Sequence, residues 1–338
     1  MRCFQTIVFH VPFSRIARSL ELTTPCLAAA DPPHAELRAT ALLGALRMWW
    51  RATRADRLAD SMESLRDEEV RLFGGPADDS DGRRGGTGLF VARLDVFGPA
   101  GAGAPAEKMK FVPAGDLAAF LGAAVGPKGR RHEALAPGTR AEFTLLFRPG
   151  VAEADRSQIE LALDCLLAFG GVGLLSRRGM GSWNDAARVR APLNEYEAYL
   201  RALLARVRGL PDAREAMNQI PTFSEFGAHY MFQLAGNEAC DPMAVLANKS
   251  LAFSNANGFD AQHMLSISRE TGGRHPSPMH LHVTRLTDAT VCVASYLPVR
   301  SVPDHNFRHR LLEVRILDFL RHCSAWSIEA AGEATAPA

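Results

Sequence analysis

The sequence has no uninterrupted apolar run approaching 18 residues, so no membrane-spanning helix is expected. Its six cysteines, Cys3, Cys26, Cys165, Cys240, Cys292 and Cys323, are scattered. No pair has zinc-ligand spacing and no disulfide framework appears, so reduced thiols in a cytoplasmic protein are the expectation. No Walker pattern is present. The Gly-x-Gly at Gly171 and Gly173 follows a helical pattern, where a dinucleotide fingerprint needs a strand. No cluster of histidine and carboxylate has ligand spacing, so neither metal nor cofactor is expected. Residues 6–9 are apolar, but His10 and Pro12 break the run too early for a signal sequence. Net charge is also scarce, at +1. A free-standing nucleic-acid binder is usually more basic. Any basic surface must therefore be concentrated, or shared with a partner.

What is present is an ordinary globular composition, 47% hydrophobic and 22% charged, over 338 residues. That length suggests two domains. Residues 37–54, LRATALLGALRMWWRATR, have helical period. Gly44, Arg47, Arg51 and Arg54 fall on one stripe, and Leu42, Ala45, Leu46, Trp49 and Trp50 on the other side. One side can bury against a sheet while the other presents three guanidiniums. Gly44 leaves room for a polymer backbone. The same pattern describes a plain solvated face, and the residues alone leave both readings open. Trp49 lies at the centre of the apolar side. Trp50 lies at its edge, where it can either pack or stack a base.

The rest of the chain alternates strands and helices. In the first half, strands are expected over 15–23, 89–96, 108–112, 140–147 and 187–190. Helices are expected over 59–73, 116–125 and 155–169, the last capped by Asp155. Two glycine-rich stretches, 78–88 and 98–105, and a basic stretch, 126–137 with Lys128, Arg130, Arg131 and His132, read as loops. In the second half, helices are expected over 195–208, 241–253 and from Pro303 to about 323. Strands are expected over 228–234, 279–286 and 290–296. This order fits an α+β ferredoxin-like arrangement better than a doubly wound sheet. The boundary falls near Pro192, giving domains over 1–192 and 193–328 and a disordered tail over 329–338.

Residues 170–183, GGVGLLSRRGMGSW, can form a backbone cradle for phosphate, with Ser176, Arg177 and Arg178 adding a hydroxyl and two forks. A flexible surface hairpin is the plainer alternative. His280 and His282 share a strand face. His275 lies beside Arg274 in a proline-rich stretch, suited to phosphate contact or to solvation. His34, in the loop before the first helix, could serve a metal-free ribonuclease as general base, but no partner acid is in view and a lone loop histidine is more often simply solvated.

Several of these stretches resemble one family. Residues 42–51, LLGALRMWWR, resemble the first helix of RAMP proteins, the repeat-associated subunits of CRISPR effector complexes. Residues 69–74, EVRLFG, resemble the turn that follows it. Residues 170–183 resemble the glycine-rich signature loop, and residues 274–281, RHPSPMHL, resemble a stretch of one subunit of type III-B (Cmr) complexes. Where many members have Ser-Ile-Arg-Gly, this chain has Ala41-Leu42-Leu43-Gly44, which leaves Arg47 and Arg51 as the surviving basic positions. The resemblance implies two ferredoxin-like domains of the RNA-recognition type. It also implies a non-catalytic subunit that contacts guide RNA, single-stranded target RNA, or both, beside other RAMP subunits. The expected RNA-binding set is Arg47, Trp50, Arg51, Arg54, Ser176, Arg177, Arg178, Arg274 and His275. Arg47 and Arg51 are expected to act alike, and loss of Arg177 and Arg178 to leave the fold unchanged. Two alternatives stand beside this: a metal-free endoribonuclease trimming guide precursors, and a purely protein-bridging subunit.

Overall fold

The structure, a computed structural model, describes residues 14–31, 34–54, 62–75, 86–100, 103–113, 115–121, 132–208, 228–236, 240–257, 279–297 and 306–328. The first half opens with β1 (Arg15–Leu22), the short β2 (Ala29–Asp31) and β3 (His34–Ala35), then α1 (Ala39–Arg54) and α2 (Met62–Phe73). Next come β4 (Gly74–Gly75), β5 (Gly86–Thr87), β6 (Phe90–Phe97), β7 (Lys108–Phe111), α3 (Gly115–Leu121), β8 (His132–Leu135) and β9 (Arg140–Phe147). α4 (Glu153–Phe169) and β10 (Trp183–Asp185) complete it. The second half holds α5 (Leu193–Arg208), β11 (Ala228–Ala235), α6 (Pro242–Asn257), β12 (Met279–Arg285), β13 (Thr290–Tyr296), α7 (Asn306–His322) and β14 (Trp326–Ser327).

Both main sheets are antiparallel, with strand orders β10-β1-β9-β6 and β12-β13-β11-β14. Relabelled within each half, these orders are 4-1-3-2 and its reverse. Each half is therefore a βαββαβ unit of ferredoxin-like topology. The strands form where apolar residues alternate: β9 buries Ala141, Phe143, Leu145 and Phe147, exposes Glu142 and Leu146 and leaves Thr144 half-buried.

Sheet two is buried on both faces. Its strands β12 and β13 carry near-continuous burial instead of alternation. One face, with Phe232, Leu281 and Cys292, packs on α6 and α7 through Met243, Leu246 and Phe319. The other, with Met231, Val291 and Val293, packs with the helices of the first half. The stack is sheet one, helices, sheet two, helices. The insertion between β6 and β9 crosses this order, and α3 places Phe120 and Leu121 in the core of the second half.

Several expected elements are corrected. Residues 187–190 are a turn, and the strand lies earlier, at β10. Asp155 does not cap α4, whose N-cap is Ala152 without a side-chain bond. Asp155 instead holds Arg71, Oδ1 to Nη2, at 2.6 Å. Of the expected loops, 78–88 lies mostly outside the described residues, as does the tail 329–338, and the basic stretch 126–137 is described only from His132, where it is not a loop but the strand β8 paired with β7.

Candidate nucleic-acid interface

α1 forms because its apolar residues recur on one side, and it buries Leu42, Leu46, Trp49, Trp50, Ala52 and Thr53. Its basic stripe exists, but the protein itself engages much of it. Arg47 Nη2 donates to the carbonyls of Phe73 at 3.1 Å and Gly74 at 2.7 Å. Its guanidinium lies 5.3 Å from the Phe73 ring centroid. Arg51 Nε is 2.8 Å from Glu69 Oε2, and Arg47 Nη1 is 3.5 Å from Glu69 Oε1. One carboxylate thus serves two arginines. Arg54 is half-buried. Burial pulls its value below the ordinary guanidinium range, while Glu68 and Asp155 act the other way. Gly44 faces open space, with no atom within 4 Å of a Cβ built there. The residue that sequence reading passed over is Glu69. It sits inside the EVRLFG stretch, spaced to meet α1 only once α2 folds back.

Trp50 is a correction. It is fully buried, edge-to-face with Phe73 at 5.9 Å, so the protein's own core occupies the face expected to stack a base. Trp49 is equally buried, 5.3 Å from the His280 ring and 6.1 Å from Phe169.

The glycine-rich loop is neither an open cradle nor a surface hairpin. It wraps the chain that follows β1. Leu174 N donates to Leu27 O at 3.0 Å, Gly181 N to Pro25 O at 2.9 Å, and Ser182 N to Thr24 Oγ1 at 3.0 Å. A Cβ at Gly173 would sit 2.8 Å from Leu27 O, so only glycine permits this approach. On its other side, Leu281 N donates to Arg177 O at 3.1 Å, which covers the edge of β12. Arg178 Nη1 donates to the Phe120 carbonyl in α3. Arg177 is partly buried, and desolvation draws its guanidinium below the ordinary value. Leu174 at the tip is exposed, and Ser176 beside it is half-buried. Arg274 and His275 lie outside the described residues.

His229, His280 and His282 sit inside the seam between the halves, on one face of sheet two. His282 Nδ1 meets the Gly170 carbonyl, and Nε2 is 2.8 Å from Asn184 Oδ1. Asn184 Nδ2 donates to Thr23 Oγ1 at 2.7 Å and to Val283 O at 3.1 Å. The His34 side chain lies outside the described residues. Among the described residues, no three histidines, cysteines or carboxylates are grouped to hold a metal ion, and no helix is long and apolar enough to cross a membrane.

Among the described residues, neither sheet offers a base-stacking platform of the RNA-recognition kind. Sheet two is covered on both faces. The open face of sheet one carries Ala17, Ser19, Glu142, Thr144, Leu146, Val91, Arg93 and Asp95 around its centre, and its aromatic, Phe97, sits at a corner.

Residues 30–184 match the RAMP superfamily model. This segment is similar to RAMP domains. Among solved structures, the fold is similar to the apo crystal structure of Cmr1 from Pyrococcus furiosus. That match has a TM-score of 0.56 and 15% identity, and covers 94% of this chain and 99% of that one. A chain in the cryo-EM structure of the type III-B Cmr-beta bound to cognate target RNA matches with a TM-score of 0.55 and 11% identity, over 92% and 99%. A chain in a second Cmr-beta structure, with cognate target RNA and AMPPnP in the presence of ssDNA, gives 0.53 and 11%, over 91% and 98%. Among curated proteins none matches. At these identities the likeness is one of fold, and it extends past the segment matched by the family model through the second half.

Proposed function

We propose that this chain is a non-catalytic, RNA-binding subunit of a type III-B CRISPR ribonucleoprotein. It works in the cytoplasm in antiviral defence, beside other RAMP subunits, on guide or target RNA. The end-to-end fold match to Cmr1 carries this reading, because both ferredoxin-like halves and nearly the whole neighbour are covered. The match of residues 30–184 to the RAMP superfamily model and the target RNA named for two neighbours support it. Three histidines buried in the seam between the halves support a role without acid–base chemistry at that place.

The contact set is narrower than the sequence reading made it. Arg51, Arg54, and the loop tip at Ser176 and Arg177 are the proposed contacts, with Arg274 and His275 alongside. Arg47 and Arg178 instead hold backbone carbonyls in place and position the surface. The low net charge makes docking beside RNA-bearing subunits the main source of affinity, through effective concentration.

The test is purification of the tagged chain from its native host, with sequencing of the RNA that comes with it. Guide RNA together with other RAMP subunits is the expected result. Subunits without RNA contact would replace the reading with protein bridging. Metal-independent cleavage of single-stranded RNA at one position would replace it with guide processing.

A further inference from the structure

Sheet one has α1 over its β6 side and a groove at its opposite, β10 side. β1, the turn after β10, α4 and α5 enclose this groove, which has a volume of about 660 Å³. That is the size range of small-ligand sites. Alanines of β1, the turn and α5 keep its floor low. Its two aspartates are already engaged. Arg18 lies 3.2 Å from Asp164, 3.7 Å from Asp185 and 2.7 Å from Glu160. Arg206 takes the other Asp164 oxygen at 3.2 Å. The turn closes on Asp185, whose Oδ1 accepts from Ala187 N at 2.9 Å and whose carbonyl accepts from Arg188 N at 2.8 Å. It presents two more arginines. The Arg188 guanidinium lies 4.2 Å over the Tyr199 ring. Among the described residues, neither Arg188 nor Arg190 has a carboxylate within salt-bridge distance.

We infer that this groove takes one nucleotide of a single-stranded RNA, a second contact separate from the α1 stripe and resting on the RNA-binding reading above. A base lies against the outer face of the stacked Arg188, and the adjoining phosphate meets Arg190 and Arg206. The flat guanidinium on a flat phenol is what distinguishes a nucleotide from an acidic peptide. It offers a planar surface that a carboxylate does not need and a base does.

The test uses the full-length protein and a fluorescent short polyuridine RNA, read by anisotropy. Arg190→Glu weakens binding at least about tenfold and makes the log-log salt dependence shallower by about 0.7, the single-strand value for one phosphate. Arg188→Lys keeps the charge and loses the stack, so affinity falls about fivefold while the salt slope stays. Neither variant changes the melting temperature. If Arg51→Ala weakens RNA binding and Arg190→Glu does not, the groove is not an RNA site and the RNA-binding reading stands. If the wild type contacts no RNA either alone or assembled with the other subunits, both fall. Adenosine monophosphate or polyglutamate that binds the wild type but not Arg190→Glu, with RNA binding indifferent to the variant, also overturns the inference in favour of a free nucleotide or an acidic partner.

Discussion

Glycine means different things at three positions of this chain. At Gly170 an added Cβ would strike the Trp49 indole, and at Gly181, where φ is +62°, it would strike the Val172 carbonyl. At Gly44 it meets nothing. Gly170→Ala and Gly181→Ala are each expected to destabilise the protein by at least about 2 kcal/mol, since overpacking forces backbone shifts. Gly44→Ala should stabilise it by about 0.5–1 kcal/mol, the helix-propensity difference. Urea midpoints of the three variants check this. Equal effects at Gly44 and Gly170 would contradict the packing account. Arg47 and Arg51 divide in the same way. Arg47→Ala leaves the Phe73 and Gly74 carbonyls without their donor, so it should cost about 1–2 kcal/mol of stability. Arg51→Ala should leave the midpoint nearly unchanged and flatten the salt dependence of RNA binding instead. An RNA effect equal at both positions, with no stability effect at either, would restore the equivalence read from sequence.

At the scale of elements, the helices and central strands were legible because each carries its own period. α1, β9 and α4 appear within a few residues of their apolar patterns. β10 and β14 were misplaced or missed because each is only three or two residues long, too short to show alternation. The loop at 170–183 was misread for a different reason. Glycine marks a close approach of backbone, and sequence does not say to what. Here the approaching backbone is the chain's own residues 23–28, not a phosphate. Arg178 looked like a surface fork for the same reason, yet its partner is the Phe120 carbonyl in α3. Replacing Arg177 and Arg178 together by alanine should therefore lower the melting temperature by several degrees, on the order of 1–2 kcal/mol, because the loop then releases α3. A thermal scan decides it. An unchanged midpoint would return both arginines to the solvent-facing role first expected of them.

For the whole molecule, the seam between the halves decides the response to acid. Burial is the first cause of every shift there. It pulls His229 down to about 3, with Arg208 adding to it, and His282 down to about 4, with the Gly170 carbonyl pulling back up. His280 lies well below its ordinary value, through burial, then Arg177 and His229. The unfolded chain takes up these protons first, near pH 6.5, while the folded chain refuses them. Stability is thus fully present above about pH 6.5 and falls as pH drops toward the folded values. Two carboxylates, Asp155 held down by Arg71 and Glu36 held down by Arg38, also lose stability in acid, but only below their ordinary range near pH 4. Asp164, raised by burial, works in the opposite sense. Between about pH 6.5 and about pH 5 the histidines therefore dominate. Denaturation midpoints should drop over that interval, and His229→Gln, which can keep a hydrogen bond to Ser295, should shrink the drop. A midpoint that is flat between about pH 8 and about pH 5 would mean that water reaches the seam and that the two halves part more easily than their packing implies.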